Sequence, residues 1–229
     1  MAARPGSTTS VAITVEATPK KAFASAVDWP GWSRSGKTDD LAVEALIAAA
    51  PRYAAVAREA GEAFSPVGGG PDAYEVVERT GGGSGTDFGV PSAITDLDWR
   101  EVTVDEAGRL ARLVEAAWSV FDRVAASAPA ELRKGPRGGG RDRDKMVGHV
   151  IESDWYYARE MGIREAQPDP ADRAAVEALR AAMLDVLRRP SDGSPLAGRK
   201  WTTRYAARRI AWHALDHAWE MEDRSEPAS

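Results

Sequence analysis

The sequence predicts an α+β protein: a small N-terminal ββαβ module over residues 11–100, followed by an up-and-down four-helix bundle over residues 101–229. Three observations lead there. Residues 11–27 and 74–80 carry short strand-like runs, the first of them alternating apolar and polar side chains as a half-buried strand does. From residue 103 the apolar period lengthens to that of a helix. Four such segments then follow with no strand signal between them, and four amphipathic stripes in sequence call for a bundle.

Residues 1–10 are small and polar and are expected to be disordered. Val11 to Ala17 reads as the first strand, Pro19-Lys20 as a turn, and Ala22 to Val27 as the second strand of a hairpin. Asp28-Trp29-Pro30-Gly31-Trp32 stops the ladder, because proline and glycine both break it. Thr38 is placed to cap a helix running from Asp39 toward Glu62, which Pro51 should kink or split. Tyr74 to Thr80 is the third strand, and Gly81-Gly82-Gly83-Ser84-Gly85 a loop or flexible tip.

Thr103 and Glu106 form a T-x-x-E capping box for the first bundle helix, whose stripe is Leu110, Leu113, Val114, Ala117, Phe121 and Val124. Arg133 to Arg143 is a basic, glycine-rich connection. The second helix puts Met146, His149, Val150, Ser153 and Tyr157 on one face. Asp169-Pro170 supplies an N-cap and first-turn proline for the third helix, with stripe Val176, Leu179, Met183 and Leu187. After a loop over Pro190 to Gly198, the fourth helix aligns Ala206, Ile210, His213, His217 and Met221.

Composition narrows the functions open to the chain. Its 229 residues contain no cysteine, which excludes disulfides, thiolate metal sites and a cysteine nucleophile. No apolar run approaches the roughly 20 residues that span a bilayer, and the N-terminus has no signal-peptide core, so a cytoplasmic protein without a membrane partner is expected. A net charge of -5 argues against a nucleic-acid partner. Eight tryptophans suggest large packed or ligand-facing surfaces.

All three histidines of the chain fall on apolar stripes of the second half. His213 and His217 are four residues apart, so their rings stack on one helix face about 6 Å apart, within reach of one metal ion. His149 lies on a neighbouring helix with its stripe toward the same interior. A buried imidazole must satisfy its ring nitrogens, and three in one core are costly without a common partner. A lone histidine on an apolar face is more often a hydrogen-bonded core residue; three on converging stripes favour a shared divalent metal.

These residues resemble the DinB-like superfamily, which includes mycothiol-dependent maleylpyruvate isomerases and bacillithiol transferases. The likeness is carried by Val147-Gly148-His149-Val150-Ile151-Glu152 and by Trp212-His213-Ala214-Leu215-Asp216-His217-Ala218-Trp219-Glu220, and it covers about residues 103–224. It implies that His149, His213 and His217 bind a nickel, zinc or iron-type ion and leave positions open for water or substrate. It also implies a metal-dependent thiol transferase or isomerase acting on a small-molecule substrate with a low-molecular-weight thiol, in a chain that could form a homodimer. The N-terminal order of two strands, the Asp28-x-Pro30-Gly31 turn, Gly36 and a helix resembles a HicB-like fold, although Trp32 stands where such proteins often carry a smaller residue. The competing readings are a bundle whose ion is structural and a HicB-like regulator.

Around the histidines, Glu152 is a candidate base, although a solvated carboxylate is the commoner fate of such a residue. Asp216 precedes His217 and points about 100° away, so it either orients a ligand on another helix or pairs with an arginine. Asp154 has the same two readings. Ser153 and Tyr157 are the candidate pocket residues. Trp155, Tyr156, Trp212 and Trp219 at helical spacing read mainly as packing. The basic segment Arg133, Lys134, Arg137, Arg141 and Arg143 is a solvated loop that could also receive an anionic substrate.

Overall fold

The computed structural model of the chain describes residues 10–65, 73–134 and 140–225. The start of the chain and residues 135–139 of the basic connection, read above as disordered or loop, lie mostly outside these. The fold is α+β, with a four-stranded mixed sheet and seven α-helices among the described residues.

Strands β1 (Val11–Ala17) and β2 (Ala22–Ala26) form the expected antiparallel hairpin. The Pro30-Gly31 turn does not end the sheet. It leads into β3 (Ser33–Gly36), which pairs antiparallel with the far edge of β2. A Ser-Arg-Ser-Gly strand has no apolar alternation to betray it; it is held by backbone pairing and by the Ser25 and Ser33 hydroxyls at 2.7 Å. Thr38 caps α1 (Asp39–Ala48) by accepting from the Leu41 N–H. The helix breaks at Ala49, and α2 (Ala50–Glu59) restarts with Pro51 in its first turn, where the missing N–H has no intrahelical acceptor to lose. β4 (Tyr74–Gly81) then joins β1 in parallel, giving the order β3-β2-β1-β4. The N-terminal part is therefore βββααβ rather than ββαβ.

The glycine-rich segment after β4 is not simply a loop. Ser84–Phe88 forms a short helix, α3, because the buried Thr86 hydroxyl accepts from the Gly83 N–H and donates to Glu16 on β1. A 3₁₀ turn over Asp96–Trp99 follows, closed by Asp98 accepting from Thr95. Asp98 is buried and paired with Arg208 at 2.6 Å, which fastens this turn to the last helix.

The helical half contains α4 (Val104–Ser127), α5 (Arg143–Glu160), α6 (Arg173–Leu187) and α7 (Thr203–Ser225). α4 packs along α7 in the same direction, with Glu106 meeting Arg204 at their starts and Val124 lying near Asp223 and Ser225 at their ends. α6 runs against α4 and α5 against α7, so the helices run up-down-down-up rather than in the expected up-and-down order. The apolar members of the predicted stripes are buried on all four, while His149, Ser153 and His217 are half-buried. The α6 cap differs from expectation: Asp172 accepts from the Ala175 N–H, while Asp169 forms the preceding turn by accepting from Ala171. No helix among the described residues is long and apolar enough to cross a membrane.

The capping box on α4 is formed as predicted, with the Glu106 carboxylate accepting from the Thr103 N–H at 3.0 Å. That N–H, with the Arg204 guanidinium, pulls the Glu106 pKa down to about 2. A depressed folded-state pKa means that its stabilisation is present at neutral pH and fades as acid protonates the carboxylate. Thr103→Ala should cost about 1 kcal/mol, read as a lower urea midpoint with unchanged slope.

The two halves share one core. Phe23 of β2 meets Trp212 of α7 edge-on at 6.1 Å, and Arg34 of β3 pairs with Asp216 and lies 4.0 Å above the Trp219 ring. Gly31, at φ +91°, lies flat against α7: a Cβ there would stand 2.7 Å from Leu215 Cδ1 and 3.0 Å from the Ala211 methyl. Trp32 is fully buried beside it, stacked on Tyr53 and donating from its indole nitrogen to the Leu46 carbonyl at 2.8 Å.

Candidate metal centre

The three histidines converge between α5 and α7. One ring nitrogen from each of His149, His213 and His217 lies within 4.8 Å of the others, and no further carboxylate among the described residues joins the group. His149 Nε2 and His213 Nε2 face each other at 3.3 Å. Two nitrogens bound to one tetrahedral ion at about 2.1 Å would stand about 3.4 Å apart, so this pair already has the spacing of shared ligands. Two neutral imidazoles meeting through Nε2 can share only one hydrogen, whereas a cation would take both lone pairs. The donor set fits a divalent transition ion.

Helix geometry explains the convergence. His213 and His217 stack on one face of α7, their rings 4.7 Å apart, and α5 runs in the opposite direction alongside, setting His149 5.0 Å from the first ring and 5.1 Å from the second. His213 is buried, with its Nδ1 finding no hydrogen-bond partner; His149 and His217 are half-buried. Burial, then the charge of Arg141, brings the His149 pKa down to about 4. Burial drives His213 well below its ordinary value, helped by the neighbouring His217 and Arg209. These two rings are therefore neutral at pH 7, the form that coordinates metals.

Glu220, which sequence reasoning did not single out, completes the arrangement. Its carboxylate accepts from His217 Nδ1 at 3.1 Å, and that contact holds the Glu220 carboxyl below the usual range. With the proton fixed on Nδ1, Nε2 keeps its lone pair for an ion. Arg224 holds the other oxygen of Glu220 at 2.8 Å. The signal was present, since Glu220 follows His217 by three residues and so shares its helix face.

The remaining candidates separate clearly. Tyr157 packs against His213 with ring centres 5.7 Å apart, and half-buried Ser153 lies on α5 between Tyr157 and His149. Glu152 is exposed and outside the histidine group. Asp216 pairs with Arg34 at 3.2 Å. Asp154 is buried against Arg180, and burial raises its pKa to about 6. Trp155 donates to the Glu165 carbonyl, and Tyr156 is 55% exposed. Of the basic connection, Arg141 brings its charge within reach of His149 and His213, whereas Lys134 pairs with Asp142.

Comparison of the chain with protein-family models, with curated proteins and with solved structures gives no match.

Proposed function

We propose that the chain binds one divalent transition-metal ion on His149, His213 and His217 and works as a metal-dependent enzyme, similar to the thiol-dependent transferases and isomerases of the DinB-like superfamily. The observation that carries the reading is the 3.3 Å approach of two Nε2 atoms within a group of three imidazoles. In this reading α4 to α7 form a DinB-like four-helix bundle. The N-terminal sheet, HicB-like in its hairpin and turn, serves as a scaffold for α7.

Three neutral ligands and no protein anion describe an open centre better than a sealed structural one. An ion held there would lower the pKa of a bound water or hold a thiol as thiolate. The chain contributes the rest. Glu220 fixes the tautomer of His217, Tyr157 packs against His213, and half-buried His149 and His217 mark the side from which a small molecule would enter. Because the chain has no cysteine, a sulfur nucleophile must come from a low-molecular-weight thiol such as mycothiol or bacillithiol.

Elemental analysis of protein made without a histidine tag and reconstituted with nickel, zinc, iron or manganese should find close to one ion per chain. Nickel or zinc should outcompete manganese. In the cobalt form, a biological thiol should add a sulfur-to-metal charge-transfer band. Absence of a tight site defeats the whole reading; a tight site whose spectrum ignores millimolar thiol defeats the thiol chemistry and leaves a metal-binding protein.

A further inference from the structure

A groove of about 620 Å³ opens between the end of α5, the end of α6 and the start of α7. Thr203, which lines it, precedes His213 by ten residues, so the groove lies about 15 Å along α7 from the histidine centre. Its volume is that of an ordinary small-molecule site. The apolar wall is made by Met161 and Ile163 at the end of α5, Val186 of α6 and Leu196 of the following loop. Ala197 closes one side at φ +51°, an angle that a residue with a side chain adopts at a cost. It fits there because Gly162 gives way: a Cβ on Gly162 would stand 2.6 Å from the Ala197 methyl.

The floor of the groove is polar and unfinished. Its most deeply buried residues are Met161, 4% exposed, and Thr203, 1% exposed. The Thr203 hydroxyl makes no hydrogen bond among the described residues and, unlike the sealed nitrogens of Arg204 and Arg209 further along α7, it keeps an opening to the groove. A hydroxyl at that depth calls for a partner. The helix end beside it has two N–H groups to spare. Thr202 accepts from the Tyr205 N–H through its hydroxyl and from the Ala206 N–H through its carbonyl, so those of Thr203 and Arg204 have no acceptor within the helix. Such an end carries a partial positive charge. Arg189 on the rim is exposed and forms no ion pair among the described residues, whereas its neighbour Arg188 pairs with Asp185. Asp192, the one carboxylate in the lining, is turned into its own loop, where it accepts from the Ser194 N–H at 2.9 Å. We propose that this groove is a second small-molecule site, for an organic acid whose carboxylate meets the Thr203 hydroxyl and the free N–H groups at the start of α7. The apolar body of the acid lies along Met161, Ile163, Val186 and Leu196, and Arg189 adds charge at the mouth. The site shares no residue with the histidine centre and does not depend on an ion being there.

The test titrates the full-length chain by calorimetry with phenylacetate, 4-phenylbutyrate and hexanoate, each beside its primary amide, in a buffer free of carboxylates. The expected result is at least one acid binding about tenfold or more tighter than its amide, with the difference shrinking as salt rises. Thr203→Val, which keeps the shape and removes the hydroxyl, should weaken that acid about tenfold and leave the amide within about twofold. Thr203→Ser should restore the preference, and Arg189→Gln, at an exposed position that the fold does not need, should weaken the acid about threefold. Far-ultraviolet circular dichroism checks that each variant is folded. Equal affinity for acid and amide overturns the proposal, as does an acid preference that survives in a folded Thr203→Val protein or is untouched by Arg189→Gln. So does the absence of binding by all three acids up to about 10 mM, a concentration at which even weak sites fill.

Discussion

Replacing His217 with alanine is expected to weaken binding of a divalent transition ion by more than about a hundredfold while leaving a folded, helical protein. Loss of an outer partner alone costs about 10- to 100-fold at such centres, and His217 supplies a ligand itself and also anchors Glu220. Only two histidines would remain, and Glu220 would be left with Arg224 alone. The fold should survive because the stripes of α4 to α7 are buried without help from an ion: Phe121, Met146, Met183, Leu187, Ile210, Leu215 and Met221 are all fully enclosed. Ion affinity by competition with a chromophoric chelator and helix content by far-ultraviolet circular dichroism read the two effects separately. A variant that has lost its helices at room temperature would show that the ion holds the helices together, and the enzyme reading would give way to a structural one.

The largest effect on stability should come from the other half of the chain. Trp32→Ala is expected to cost about 3–5 kcal/mol, the range for emptying a well-packed aromatic site. Trp32 is 0% exposed, and Phe64 and Tyr74 pack edge-on against it at 5.1 and 6.1 Å. Its loss also strips the Leu46 carbonyl of the indole N–H. Trp32→Phe should retain most of the packing and lose the hydrogen bond, at about 1–2 kcal/mol. Urea unfolding measures both, and a loss below about 1 kcal/mol in the alanine variant would mean that this aromatic cluster does not organise the module.

What was legible in the sequence follows from how strongly each residue is constrained. The three histidines could be read because each interrupts an apolar stripe, where an imidazole has to be accounted for. Thr38, Thr103 with Glu106, and Pro51 could be read because caps and helix-initiating prolines act over three or four residues of local chain. β3 could not, because Ser33–Gly36 owes its strand to the open edge of β2 rather than to its own pattern. The start of α6 was misplaced by three residues because Asp169 and Asp172 are equally good caps locally, and the turn between them decides. Glu220 was passed over because a charged residue on a helix usually faces solvent, although it follows His217 by three residues on the same face of α7.

The contact of Gly31 with α7 makes the sheet a shim under the ligand-bearing helix. Ala211 and Leu215, the residues it touches, stand two positions on either side of His213. The thickness of the backbone at that turn therefore sets how far the helix advances toward α5, and with it the separation of His213 and His149. Gly31→Ala, strained already by its backbone angle, would push α7 outward by a few tenths of an ångström or more. Ion affinity should fall although no ligand is altered, and should fall most for the ion with the shortest bonds, in competition experiments against the unaltered chain. If affinity is unchanged in a folded Gly31→Ala protein, the helix yields elsewhere. If it falls as expected, the gauge of the coordination sphere is kept by a residue in a different half of the chain from every ligand.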